Sequence, residues 1–170
     1  MGSGASGRYS GTHGGSRPYS DIYSVYTEML NIDMRDPDIY DKAGYFKNPT
    51  AINLSDCIDG DGLIFEGHRV EGRMTYVMDA EGNIIFGKRS NPNNSKKRAP
   101  HPTLIGGKNP LVQCAGMITF RKGKILSVDN RSGHFRPHIK SLDKVINALQ
   151  TLCDINPNLF DKRSIWRKHK

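Results

Sequence analysis

An α+β domain, a curved antiparallel sheet of about five to six strands packed on an N-terminal and a C-terminal helix, is the fold class this sequence predicts. Three observations predict it. From Leu63 onward, apolar residues recur at every second position in short runs separated by turn residues. At both ends of that region the apolar spacing becomes helical. No internal repeat interrupts the order helix, strands, helix, and 170 residues suit one domain with a real core.

The elements follow in order. Residues 1–20, "MGSGASGRYSGTHGGSRPYS", have almost nothing to bury and read as a flexible Gly/Ser-rich linker or remnant outside the fold, with His13 idle. Ser20 then caps a short helix with Ile22, Val25, Tyr26 and Met29 on one face. Residues 33–62 are broken by "DPD", "KNP" and "DGDG"; the last lacks the spacing of a calcium loop and reads as a turn. "LIFEGHRV" and "MTYVMD" read as strands, and "AEGN" turns the second into "IIFGK". "AGMITF" and "KILSVD" form a hairpin around "RKGK", and "SGHF" a further short strand before Pro137. Ser141 caps an amphipathic helix carrying Leu142, Val145, Ile146, Leu149 and Leu152 on one face. The domain spans 21–160, and 161–170 form a basic tail.

Composition narrows the functional classes. No apolar run is long enough to span a bilayer and no signal peptide is visible, so no membrane partner is expected. Cys57, Cys114 and Cys153 are far apart with no CxxC pair, which disfavours cysteine-held zinc and a disulfide framework; no metal site is expected. The net charge of +8 is segregated: Asp21–Glu81 hold 5 Lys/Arg against 13 Asp/Glu, whereas Gly82–Lys170 hold 18 against 4. A positive face of this kind draws phosphate-rich partners, RNA or a nucleotide-containing substrate. Serine-hydrolase, HExxH, zinc-deaminase and phosphate-loop patterns are all missing.

Two short stretches carry candidate chemistry. "PHPTLIGG" sets His101 two residues from Thr103, and "NRSGHFRP" sets Ser132 two residues from His134. The first lies in residues 88–110, a loop rich in Lys and Arg, free of acidic residues and too broken by Pro and Asn for regular structure. Strand alternation would put Ser132 and His134 on one face, with His101 brought opposite by the loop. Two histidines divide acid and base work near neutrality, which suits metal-independent RNA cleavage through the ribose 2′-hydroxyl. Candidate catalytic residues are therefore His134, His101, Ser132 and Thr103. Arg131, Arg136 and Lys124 are candidates for the phosphate, and Gly106, Gly107 and Gly133 for close backbone approach. No cofactor is needed for that reaction. A binding module without catalysis ranks last, because it has no need of histidine–hydroxyl pairs.

The runs "YVMDAEGNIIFGK", "HPTLIGG" and "AGMITFRKGKILSVDNRSGHFRP" together resemble the C-terminal toxin module of secreted bacterial polymorphic toxins, the Rhs-repeat and related effectors. A similar segment occurs in plant IQ-motif calmodulin-binding proteins. The likeness covers about residues 76–137, with Phe135 where the pattern usually has tyrosine and Met117 where the toxins often carry glutamate. It implies a toxin domain secreted as part of a larger effector and acting in the cytoplasm of a target cell, with a cognate immunity protein as a further partner. It also opens an alternative chemistry, NAD-dependent ADP-ribosyl transfer to a protein or RNA. There His101 and Thr103 would hold the ribose and Tyr76 would stack on nicotinamide, with NAD as cofactor. The chain's glutamates, Glu28, Glu66, Glu71 and Glu81, form no Glu-x-Glu pair of the kind the commonest transferases use.

Overall fold

The computed structural model describes residues 16–91 and 94–164, without the side chains of 91 and 94–97. The expected α+β class is what it shows. A five-stranded antiparallel sheet contains β1 (Ile52–Asn53), β2 (Gly72–Asp79), β3 (Ile84–Gly87), β4 (Val112–Arg121) and β5 (Lys124–Val128), in spatial order β5–β4–β2–β3–β1. Helix α1 (Thr27–Asp33) precedes it and α2 (Leu142–Ile155) follows it. A three-stranded sheet (Ile58–Asp59, Gly62–Phe65, His68–Arg69) and two small ladders complete the described strands. Among the described residues no helix is long and apolar enough to cross a membrane.

Strand alternation gives the sheet two unlike faces. Met74, Tyr76 and Met78 of β2, with Cys114, Ile118 and Phe120 of β4, join the cluster that receives Leu142, Val145, Leu149 and Cys153 of α2. Burying each Leu or Val there is worth roughly 1.5–3 kcal/mol. The opposite face carries Val77 and Ala115, which pack with Tyr23, Val25, Leu104 and Phe135 and with Met29 and Leu30 of α1. This second layer is thin and covers only part of its face. Arg73 and Thr75 on β2 and Met117 on β4 lie beyond its cover and line a hollow.

Several local expectations change. The first helix begins at Thr27, not Ser20, because Tyr23 and Val25 are buried as an extended segment bridged to Val112; Ile22 is left exposed. Ser20 bonds locally to Ile22. "LIFEGHRV" is not one strand: Glu66 (φ 53°) and Gly67 (φ 85°) turn the chain into a tight hairpin. The basic stretch 88–110 is not wholly irregular, since Ser90–Asn91 pairs with Asn94–Arg98 and His101–Leu104 form a 3-10 turn. "SGHF" is a turn, not a strand, closed by the Arg136 N–H on the Ser132 carbonyl (2.7 Å) and the Phe135 N–H on Ser132 Oγ (3.2 Å). Ser141 precedes α2 without capping it, its hydroxyl being taken by Tyr23 at 2.9 Å.

The hairpin turns form as expected. Asp79 Oδ1 accepts the amides of Glu81 and Asn83 in "AEGN", and Lys122 (φ 52°) with Gly123 (φ 78°) makes the tight turn of "RKGK". Residues at either end of the domain make defined contacts with it. Arg17 donates its amide to the Arg136 carbonyl, and Asp161 and Ser164 are buried against β5. Residues 1–15 of the expected linker, with His13, and 165–170 of the expected tail lie outside the described residues.

Candidate active site

The hollow is a cavity of about 340 Å³ whose floor is Thr75 and Met117 of the sheet. Its walls come from the His101 turn, the Ser132–His134 turn, Met29 of α1, and the arginines Arg73, Arg89, Arg98 and Arg131. The two histidine-bearing stretches thus meet at one site, although they are some thirty residues apart.

His101 is placed by rigid local chemistry. Pro100 sets an extended entry and Pro102 is the second residue of the 3-10 turn that His101 begins. Thr103 ties the turn by donating its amide and hydroxyl to the Pro100 carbonyl at 2.9 and 2.7 Å. The ring is buried, and Nε2 lies 2.8 Å from the Gly116 carbonyl. A carbonyl only accepts, so Nε2 carries the proton and Nδ1 is the acceptor for the Ser132 hydroxyl at 3.2 Å. Burial pushes the imidazole down to about 4, with the nearby His134 adding to the effect and the Gly116 bond opposing it. His101 is therefore neutral at pH 7 and both its nitrogens are engaged.

Gly116 is required here because a Cβ would sit 2.0 Å from the Asp129 carbonyl oxygen. That close crossing brings Asp129 onto β4, where its Oδ1 accepts the amides of Met117 (2.8 Å) and Arg131 (2.9 Å). Burial raises the Asp129 carboxyl, against those amides and the charges of Arg73 and Arg131. Its Oδ2 lies 3.6 Å from Arg73 and 3.9 Å from Arg131. One carboxylate thus orients two of the four guanidiniums that line the hollow.

His134 is held differently. Its Nε2 donates to Asp33 Oδ2 at 2.8 Å, and the Tyr45 hydroxyl donates to the same oxygen at 2.6 Å. Asp33 is buried at the C-terminal end of α1, where a helix dipole disfavours a carboxylate, so these two donors are what keep it there. The phenol of Tyr45 is raised well above its ordinary range by burial and by this bond. His134 Nδ1 has no hydrogen-bond partner among the described residues. The result is a carboxylate-oriented imidazole with one free nitrogen, an arrangement suited to moving a proton.

Of the residues singled out from sequence, His101, Ser132, Gly133, His134 and Arg131 line the hollow. Ser132 and His134 do not share a strand face, because 133–135 form a turn, but that turn brings both to the same site. Thr103 is buried and serves the turn. Arg136 is buried with φ 46°, donates Nε to the Gly133 carbonyl and stacks 3.8 Å over the Tyr26 ring, behind the site. Gly106 and Gly107 (φ 81° and 85°) allow the chain to pair with Tyr45 and do not line the hollow. Lys124 lies in a separate cleft, its ammonium on the Asp61 and Asn158 carbonyls. Tyr76 is fully buried on the α2 face, its hydroxyl on the Asp129 carbonyl at 2.7 Å, and cannot stack on a ligand in the hollow.

Arg73, Thr75, Arg89, Arg98, Asp33 and Asp129 were missed. The alternation of "RMTYVMD", which sets Arg73 and Thr75 opposite Met74, Tyr76 and Met78, carried a signal for those two, and the basic loop 88–110 carried one for Arg89 and Arg98 without singling them out; Asp33 and Asp129 had none. Among the described residues no group of His, Cys, Asp or Glu is gathered as a metal ion would need. Compared with known protein families, curated proteins and solved structures, the chain shows no match.

Proposed function

We propose that this chain is a toxin effector domain that cleaves RNA without a metal ion, using the hollow between the His101 and Ser132–His134 turns. The toxin part rests on the resemblance of residues 76–137, and with it come delivery into a target cell and an immunity partner. The reaction rests on one observation: an imidazole oriented by Asp33, with a free Nδ1, in a cavity that four arginines also line.

In this reading the two histidines do not share the work equally. His134 Nδ1 takes the proton of the ribose 2′-hydroxyl. The 2′-oxygen bonds to phosphorus as the bond to the 5′-oxygen breaks, and His134 returns the proton to that departing oxygen, leaving a 2′,3′-cyclic phosphate. Arg73, Arg131, Arg89 and Arg98 offset the charge that rises on the phosphoryl oxygens. His101 stays neutral and aims the Ser132 hydroxyl. NAD-dependent ADP-ribosyl transfer finds less support, because Tyr76 is on the wrong side of the sheet and the floor at position 117 is a thioether.

The test is incubation with total RNA in EDTA, with and without NAD, reading both RNA length and mass. The proposal expects fragments ending in cyclic phosphate without NAD, and their loss in His134→Ala. A mass gain that requires NAD would replace the ribonuclease reading with the transferase one. Intact, unmodified RNA in both arms would leave a binding module.

A further inference from the structure

A second cationic cleft lies between the β4–β5 turn and the segment after α2. It is a cavity of about 490 Å³ lined by Arg121, Lys122, Lys124, Lys162 and Arg163, with Asp161 as its acidic member. We propose that this cleft binds the phosphodiester backbone of single-stranded RNA, so that the substrate is a polynucleotide lying across both cleft and hollow. The inference rests on the ribonuclease reading and adds to it the class and minimum reach of the substrate.

The cleft is built rather than merely charged. Asp161 is buried, and its Oδ1 accepts the amide and Nε of Arg163 at 2.9 and 3.2 Å. Its Oδ2 lies 3.4 Å from Arg121 Nη1. Those donors hold the carboxyl below the usual carboxylate range, so it stays ionised and keeps both guanidiniums in place. The other N–H groups of both forks have no partner among the described residues, which leaves them for phosphate oxygens. Lys122 and Lys162 are exposed and have no ionic partner among the described residues.

β4 connects the two sites. Met117, Thr119 and Arg121 alternate onto one face of the strand; Met117 lines the hollow and Arg121 lines the cleft. Four residues of strand span about 13 Å. On β4 the residue between them on that face is Thr119; the carboxylates at either end, Asp129 on the Met117 amide and Glu71 on the Lys122 amide, are each tied by hydrogen bonds. Two cationic sites joined along one strand fit an extended single strand better than the two backbones of a duplex.

The experiment uses the full chain and fluorescence anisotropy with 5′-labelled 2′-O-methyl oligouridylates, which lack the attacking hydroxyl and so are not cleaved. Single strands of two and eight nucleotides, and the octamer annealed to its complement as a duplex, are compared, across a salt series, for the wild type, a Lys122→Gln/Lys162→Gln variant and Arg163→Glu. The octamer is expected to bind more tightly than the dimer. Both variants are expected to lose on the order of tenfold for the octamer alone. The double variant's plot of log affinity against log salt should be shallower by about 1.4, two lost phosphate contacts at about 0.7 each. Equal binding of both lengths, octamer binding unchanged in the variants, or a duplex bound as tightly as the single strand would overturn the proposal. The lysine pair is exposed, and matching circular dichroism and melting temperature would exclude misfolding. Octamer binding that depends on the cleft in a protein unable to cleave RNA would refute the ribonuclease reading and leave the cleft standing.

Discussion

The buried imidazole of His101 makes the protein acid-sensitive in a way that one substitution removes. In the unfolded chain this histidine titrates near 6.5, and in the folded protein burial pushes it down to about 4. At pH 7 both states are neutral and the group contributes nothing to the pH dependence. Below about pH 6.5 the unfolded chain takes up a proton that the native state refuses, so native stability falls, and it goes on falling until about pH 4. With those two values the loss is about 2 kcal/mol at pH 5 and about 3 kcal/mol at pH 4. For a domain of this size, 2 kcal/mol corresponds to a drop of about 4–8 °C in melting temperature. His101→Gln keeps an amide to donate to the Gly116 carbonyl and removes the titration. Urea unfolding of both proteins at pH 7, 6, 5 and 4.5 isolates the effect, because the carboxylates common to both largely cancel in the difference. The wild type should lose its advantage over the variant steadily below pH 6.5. Parallel stability curves over that range would refute the burial argument for His101.

Other outcomes follow from packing and hydrogen bonding. Gly116→Ala drives a Cβ into the Asp129 carbonyl 2.0 Å away and should cost at least about 1–3 kcal/mol, seen as a lowered melting temperature. Tyr45→Phe removes the 2.6 Å donor to buried Asp33 and should destabilise by about 1.5–3 kcal/mol in the same assay. Leu149→Ala, in the α2 face of the core, should cost about 2–5 kcal/mol. The three cysteines are buried, and burial pushes Cys57 up to about 11 and Cys114 up to about 12. Cys57 and Cys114 in native protein at pH 8 should therefore each react with a thiol reagent at least about a hundredfold more slowly than in denaturant, read by mapping the labelled peptides.

The fold class was legible because the sheet's two long strands alternate so regularly. Met74, Tyr76 and Met78 separate cleanly from Arg73, Thr75 and Val77, and the turns at "AEGN" and "RKGK" carry their own geometry. The first helix was misplaced because Tyr23 and Val25 fit both a helical and an extended reading; the backbone bridge to Val112 decided between them. The same ambiguity hid the turn at 132–135, where alternation argued for a strand and the Ser132 hydroxyl and carbonyl closed a turn. Of the site, the two histidines were legible as short patterns. Their partners were not: Asp33 lies 101 residues from His134 and Gly116 lies 15 from His101, and nothing local marks either contact.

Those partners make two chemically similar residues unlike. His101 is buried, neutral and bonded at both nitrogens, so it fixes where Ser132 and the 3-10 turn sit. His134 is tied at one nitrogen only and keeps the other for the cavity. Substitution should separate the two roles by where the loss falls. His134→Ala leaves the apolar layer intact but takes one of the two donors from buried Asp33, so it should cost about 1.5–3 kcal/mol, as Tyr45→Phe does, and under the proposed reading the protein that remains folded should no longer cleave RNA. His101→Ala opens a void and orphans the Gly116 carbonyl, so it should lower stability first and activity as a consequence. The arginines around them gain from the same arrangement, since a neutral His101 adds no positive charge to repel them. A protein in which His101 carried the proton at neutral pH would crowd a fifth cation beside Arg73, Arg89, Arg98 and Arg131. Burial against Gly116 prevents that, and so leaves the hollow's positive charge to the four arginines alone.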